Sequence, residues 1–130
     1  VEKLGAVVVT EESCTGTRSL TGPTSPTGST VEDMLAAIGR RQLKTNCACL
    51  TPNDERIDDI IRLARDYNAD GVIHCSLQFC QPYLMESVKV KRALDKEGIP
   101  LLNVETDYGD GDIGQLKTRV EAFLEMVRLD

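Results

Sequence analysis

The chain is 130 residues long, with 41% hydrophobic and 28% charged residues, ordinary values for a single globular domain able to bury a core without covalent staples. Its formal net charge of −6, with no basic stripe carrying interleaved aromatics, argues against nucleic-acid binding. No apolar run reaches membrane-spanning length, and Val1-Glu2-Lys3-Leu4 leads into apolar sequence without a signal peptide. The first residue is Val rather than Met, as expected for a piece of a longer protein. Five cysteines (14, 47, 49, 75 and 80), in a chain with no mark of secretion, favour reduced thiols in a cytoplasm over a disulfide framework.

In chain order, Ala6-Val7-Val8-Val9 within Gly5–Thr10 predicts a strand covered on both faces. Residues 11–30 predict a loop, with 20–30 flexible: Thr21-Gly22-Pro23-Thr24-Ser25-Pro26-Thr27-Gly28-Ser29-Thr30 is too low in complexity to pack a core. Ser29 or Thr30 then caps a helix that carries Val31, Met34, Leu35 and Ile38 at helical spacing. Asn46–Leu50 is open between a short strand and a loop. Thr51-Pro52-Asn53-Asp54 predicts a helix start, with Thr51 as the capping hydroxyl, Pro52 in the first turn and Asp54 as the acidic partner. Ile57, Ile60, Ile61, Ala64 and Tyr67 mark its apolar face.

A buried strand is predicted over 71–76, then a helix from Pro82 to Glu97 that Gly98 and Pro100 stop. A second apolar strand follows over Leu101–Thr106. After a turn-rich loop, the last helix shows Leu116, Val120, Phe123, Leu124 and Val127. Apolar strands alternating with helices predict an α/β domain with a parallel sheet of three strands and an optional fourth.

Parallel topology brings three loops to the carboxyl edge of the sheet, where such folds bind ligands. They are Glu11–Arg18, Ser76–Gln81 and Glu105–Asp110. Cys80 lies at the end of a strand and the start of a helix, whose dipole favours a thiolate, the form a metal or iron–sulfur cluster requires. The plainer alternative is a buried apolar cysteine. Thr15-Gly16-Thr17-Arg18 offers N–H groups and a guanidinium to an anion, without the glycine spacing of known phosphate loops. Cys47-Ala48-Cys49 lacks the second ligand pair of a structural zinc site. His74 and Cys75 are expected in the core. Acids over Asp54–Asp59 and Asp107–Asp112 suit helix starts better than magnesium.

Several segments together resemble a family. They are Glu12-Ser13-Cys14-Thr15-Gly16-Thr17-Arg18, Thr51–Arg56, Asp70-Gly71-Val72-Ile73 and Leu77-Gln78-Phe79-Cys80-Gln81-Pro82-Tyr83. Gly98–Tyr108 and Gly114–Phe123 complete the set. In this order they resemble the C-terminal region of the 2-hydroxyacyl-CoA dehydratases and benzoyl-CoA reductases, of the 2-hydroxyglutaryl-CoA dehydratase D-component type. The likeness covers nearly the whole chain.

The resemblance implies a three-layer, flavodoxin-like or Rossmann-like domain with about four parallel strands. It implies one domain, residues 1–130, belonging to a larger iron–sulfur subunit with a partner dehydratase subunit. In that family an ATP-dependent activator delivers one electron to a [4Fe-4S] cluster. The cluster passes it to an acyl-CoA thioester, and a ketyl radical anion permits loss of water or, in related members, reduction of an aromatic ring. Cys80 matches the family's cluster cysteine, and Cys14 lies in a motif loop as a second candidate ligand. Ser76, Gln78 and Arg18 are candidates for substrate binding by position, and Arg119 falls in a matching motif. The isolated domain is expected to lack the cluster and to be inactive. The competing readings are a non-catalytic α/β module binding CoA or a nucleotide, and a structural fragment without an intact site.

Overall fold

The computed structural model describes residues 1–14, 16, 18, 22–43, 46–50 and 52–129. Two parallel strands, β1 (Val72–Leu77) and β2 (Leu101–Thr106), form the sheet. Around it run a 3-10 turn at Glu2–Leu4 and the helices α1 (Val31–Gln42), α2 (Asp54–Asp66), α3 (Gln81–Lys96) and α4 (Ile113–Leu129). The register runs from Val72 opposite Leu101 to Leu77 opposite Thr106. Parallel partners cannot be joined by a tight turn, and α3 supplies the crossover.

The core is built where α2 and α3 meet the sheet. Ile60, Val90 and Leu94 are buried together, with Ile57, Ile61, Val72, Ile99 and Leu101 packed against them. Each helix buries one column at a four-residue step: Arg56, Ile60 and Ala64 on α2, and Glu86, Val90 and Leu94 on α3. Such a column is one stripe of a helix surface. Gly98 ends α3 at φ +69, in the left-handed region that glycine adopts without a side-chain clash. Val120, Phe123 and Leu124 of α4 are also buried.

Several sequence expectations need correction. Gly5–Thr10 is not a strand. Its valines stand 77%, 51% and 45% exposed at positions 7, 8 and 9. The segment borders a cleft of about 690 Å³ whose other walls include Val72, Ile73, His74 and Phe123. High β propensity expresses fit to a pleated, half-buried surface, and here no ladder is formed to supply that surface. Among the described residues the sheet therefore has two strands, not three or four. Residues 46–50 contain a turn rather than a strand, closed by Leu50 N–H donating to Cys47 O at 2.9 Å.

The start of α2 lies at Asp54, with Asn53 as its cap residue making no side-chain capping bond; Thr51, the expected cap, lies outside the described residues. Helix α1 starts as expected, with a reciprocal capping box between Thr30 and Asp33. Its apolar stripe is not buried, however: Val31, Met34, Leu35 and Ile38 remain exposed, and only Ala37 is covered. Cys75 is exposed rather than in the core. Strand alternation sends His74 and Ser76 to the covered face and Cys75 and Leu77 to the open one.

Candidate functional site

The site is built at the carboxyl edge of the two strands. β1 ends at Leu77, and the chain turns at once: Cys80 N–H donates to Leu77 O at 3.0 Å, and Gln81 N–H to Phe79 O at 2.9 Å. Gln78 N–H donates to Thr106 O at 2.8 Å, tying this turn to the end of β2. Cys80 is then the cap residue of α3, half-buried, with Pro82 in the first turn. The turn forces Phe79 to φ +63, a conformation that costs a bulky L-residue about 1–2 kcal/mol. Among the described residues, the other positive-φ residue that is not glycine, Asn68, is of a type that tolerates it.

The Cys14 loop joins this edge through Arg18. Its Nη1 donates to Cys14 Sγ at 3.2 Å and its Nη2 to Tyr83 Oη at 3.1 Å, and Tyr83 lies on the first turn of α3, after Cys80. Arg18 also pairs with Glu12. Burial alone would lower the pKa of the Arg18 guanidinium; the hydrogen bonds to Glu12 and Tyr83 overcome this and raise it.

Glu12 is shared. Its second oxygen meets Arg56 Nη2 at 2.8 Å, and Arg56 in turn pairs with Glu86. Asn53 donates to the other Glu86 oxygen, and the Arg56 guanidinium lies 5.0 Å from the centre of the Tyr83 ring. Two cations and two anions thus form one neutral network linking the Cys14 loop, α2 and α3. The Arg18 and Arg56 side chains are only 4% and 3% exposed, so both charges depend on their partners.

His74 is buried beneath this network, with Nδ1 3.3 Å from Ser76 Oγ and Nε2 unpartnered. Burial, and then the nearby Arg56 charge, lower its pKa. A folded-state value below the ordinary one of about 6.5 means that the unfolded chain binds the proton first. The contribution is therefore complete above that value and is lost as pH falls below it. Urea denaturation between about pH 8 and pH 5 should show a larger loss of stability for the wild type than for His74→Gln. Equal losses would contradict this account.

The candidate ligands form a set of free thiols. The Cys49 thiol is raised by its hydrogen bond with Cys47 and by that neighbour's charge, with Cys80 and Cys14 contributing further. Partial burial of its sulfur, followed by the Asp112 carboxylate, raises the Cys75 thiol on the open face. The donor chemistry suits an iron–sulfur cluster, which takes thiolates. Among the described residues, no three His, Cys, Asp or Glu side chains converge on one metal position.

Gln78 and Thr106 join the second and third expected loops, and the first reaches Tyr83, on the helix that follows the second, through Arg18. Ser76 is buried and faces His74 rather than an open pocket, while Gln78 is exposed. Of the expected anion loop, Thr15 and Thr17 lie outside the described residues. Arg119 donates to the backbone carbonyl of Asn103 on β2, a structural contact. Sequence reasoning does not single out Glu12, Arg56, Tyr83 and Glu86 as a unit.

The model of the family described as 2-hydroxyglutaryl-CoA dehydratase, D-component, matches residues 1–127. The chain belongs to this family. It is 38% identical over 128 residues to the "Putative dehydratase subunit YjiM" of Escherichia coli strain K12, covering 98% of this chain and 32% of that protein. Over 70 residues it is 37% identical to the (R)-2-hydroxyglutaryl-CoA dehydratase, subunit beta, of Acidaminococcus fermentans, covering 54% of this chain and 18% of the relative. The (R)-phenyllactyl-CoA dehydratase beta subunit of Clostridium sporogenes is 29% identical over 102 residues, 78% of this chain and 26% of the relative. The chain thus spans about a third or less of the curated relatives it matches. No helix among the described residues is long and apolar enough to cross a membrane.

Proposed function

We propose that the chain is the C-terminal domain of a cytoplasmic 2-hydroxyacyl-CoA dehydratase subunit, with Cys80 as a ligand of a [4Fe-4S] cluster and Cys14 beside it. The observation that carries this reading is Arg18, which bonds Cys14 and the first turn of the helix that Cys80 caps. The remaining ligands are assigned to the rest of the subunit. The full domain is read as three-layered and flavodoxin-like, with further strands extending the β1–β2 sheet.

When bound there, such a cluster, charged by an ATP-dependent activator, would supply one-electron chemistry to the thioester carbonyl of an acyl-CoA. This chain's own residues place and seal the site. The Glu12–Arg18–Arg56–Glu86 network fixes the two cysteine loops relative to each other, and its internal neutrality leaves no net charge to draw water in. Arg18 and Gln78 lie where substrate would approach, while Ser76 supports His74 from below. Relatives named for 2-hydroxyglutaryl- and phenyllactyl-CoA support elimination of water over ring reduction, and their subunit names support assembly with a partner subunit.

The test is anaerobic iron–sulfide reconstitution of the full-length subunit with its partner, read by visible absorption and electron paramagnetic resonance. Wild type should take up a cluster; Cys80→Ala should lose it while keeping its circular-dichroism spectrum and melting temperature. A cluster of unchanged signature in Cys80→Ala would remove Cys80 from the ligand set. A folded assembly that binds CoA but never acquires a cluster would favour the non-catalytic binding module.

A further inference from the structure

We infer that Cys47 and Cys49 are a reversible thiol–disulfide couple, oxidised by a disulfide of the glutathione class and distinct from Cys80. The couple needs neither a cluster nor an acyl-CoA, and its failure would leave the dehydratase reading untouched.

Cys47-Ala48-Cys49 has no task in the site described above. Its residues lie on a turn that Leu50 N–H closes by donating to Cys47 O at 2.9 Å. Even in an extended strand, alternate Cα atoms are at most about 6.8 Å apart, and a turn draws them closer. A disulfide spans Cα separations of about 4.4–6.8 Å. The two side chains also meet, through the hydrogen bond of Cys49 with Cys47. Closing the ring therefore needs no movement of a helix or strand. The turn is held from outside as well, by Asn46 Nδ2 donating to Asp59 Oδ2 on α2 at 2.5 Å. Thiols held side by side react at a far higher effective concentration than thiols on separate molecules.

Both cysteines are free, Cys49 exposed and Cys47 half-buried, so a reagent in solvent reaches the pair. The contact with Cys47 and that neighbour's charge raise the Cys49 thiol. The pair thus gives up its first proton from Cys47, while Cys49 keeps its own. Paired thiolates serve metals too, but a structural zinc takes four ligands, and among the described residues no three candidate donors converge. Disulfides that form in a reducing compartment are mostly transient, catalytic or sensing, and exposed or strained ones are the easily reduced kind.

The exchange balances without a further reactant. The Cys47 thiolate attacks one sulfur of the oxidant, forming a mixed disulfide and releasing one thiolate. Cys49 passes its proton to that thiolate, attacks the Cys47 sulfur and expels the second thiolate, which takes up the proton Cys47 released. Two protein thiols lose two electrons, and the oxidant becomes two thiols. Excess reduced thiol runs the same steps backwards.

Cleavage after Lys44 and Arg56 releases residues 45–56, which hold both cysteines and no other. The full-length subunit with its partner is equilibrated anaerobically with oxidised glutathione, quenched in acid, alkylated, cleaved and weighed by mass spectrometry. Wild type should give this peptide unalkylated and lighter by the two hydrogens lost, and excess reduced glutathione should restore two alkylated cysteines. Cys49→Ser cannot close the ring and should carry glutathione on Cys47, at an unchanged melting temperature. In wild type that adduct should be at least about tenfold scarcer, because Cys49 removes it. A wild-type peptide that stays doubly alkylated, or one that holds glutathione without closing the ring, would overturn the inference. So would a disulfide from residues 45–56 to the peptide of Cys14 or Cys80.

Discussion

Arg56→Met is expected to destabilise the chain by about 3–5 kcal/mol, because it strands two carboxylates away from water. The guanidinium touches Glu12 on one side and Glu86 on the other, with its side chain 3% exposed. Methionine fills much of the same volume and supplies no donor. Glu86 suffers most: its side chain is 9% exposed, and only the Asn53 amide remains to it. Glu12 keeps Arg18 and is relieved in part by its greater exposure. Adding Glu86→Leu to Arg56→Met should recover a large part of the loss, since removing both partners of a buried pair costs less than removing one. Urea denaturation of both variants checks this. A loss below about 1 kcal/mol in the single variant, the range of exposed pairs, would mean that water screens the network.

Leu94→Ala carries the second large effect, about 2–5 kcal/mol. Leu94 is 0% exposed and Val90 1%; both lie on the helix whose first turn presents Cys80 and Tyr83. Truncation leaves a void between α3 and its neighbours Ile60, Ile99 and Leu101, and the cost depends on how far these can collapse into it. Thermal and urea unfolding should both register it, with little change in the secondary structure of the folded form. A loss under about 0.5 kcal/mol, typical of surface changes, would show that α3 is not the packing centre described above.

Much of this architecture can be read from the residues. The two paired strands, the crossover helix and its Gly98 stop follow from short apolar runs, helical spacing and left-handed glycine, all local signals. The capping box at Thr30 and Asp33 is equally local. Gly5–Thr10 fails because a run of valines records suitability for a sheet, and only a partner edge makes it a strand. The α1 stripe fails in a related way: spacing reveals which face is apolar, never what covers it. Cys75 was misassigned because the sheet is open on the face it occupies.

The charged network was legible in principle. Arg56 heads the column of Ile60 and Ala64, and Glu86 heads that of Val90 and Leu94. Two helices that each place a charge at the top of a buried stripe, with opposite signs, announce a pair. The tie of Arg18 to Tyr83 across 65 positions leaves no trace in local spacing.

The uniform register of β1 against β2 also governs how the chain finds its fold. Every pairing joins residues separated by the same long stretch of sequence, so no hairpin can start the sheet and zip outward. The ends of that stretch meet only after loop entropy has been overcome. Helix α3 shortens the path, since a residue in a helix advances about 1.5 Å rather than the 3.3 Å of a strand. The order of events is thereby constrained: helix first, strand contact second. The bond from Gln78 N–H to Thr106 O, which ties the turn at Phe79 to β2, forms only when both strands are in place.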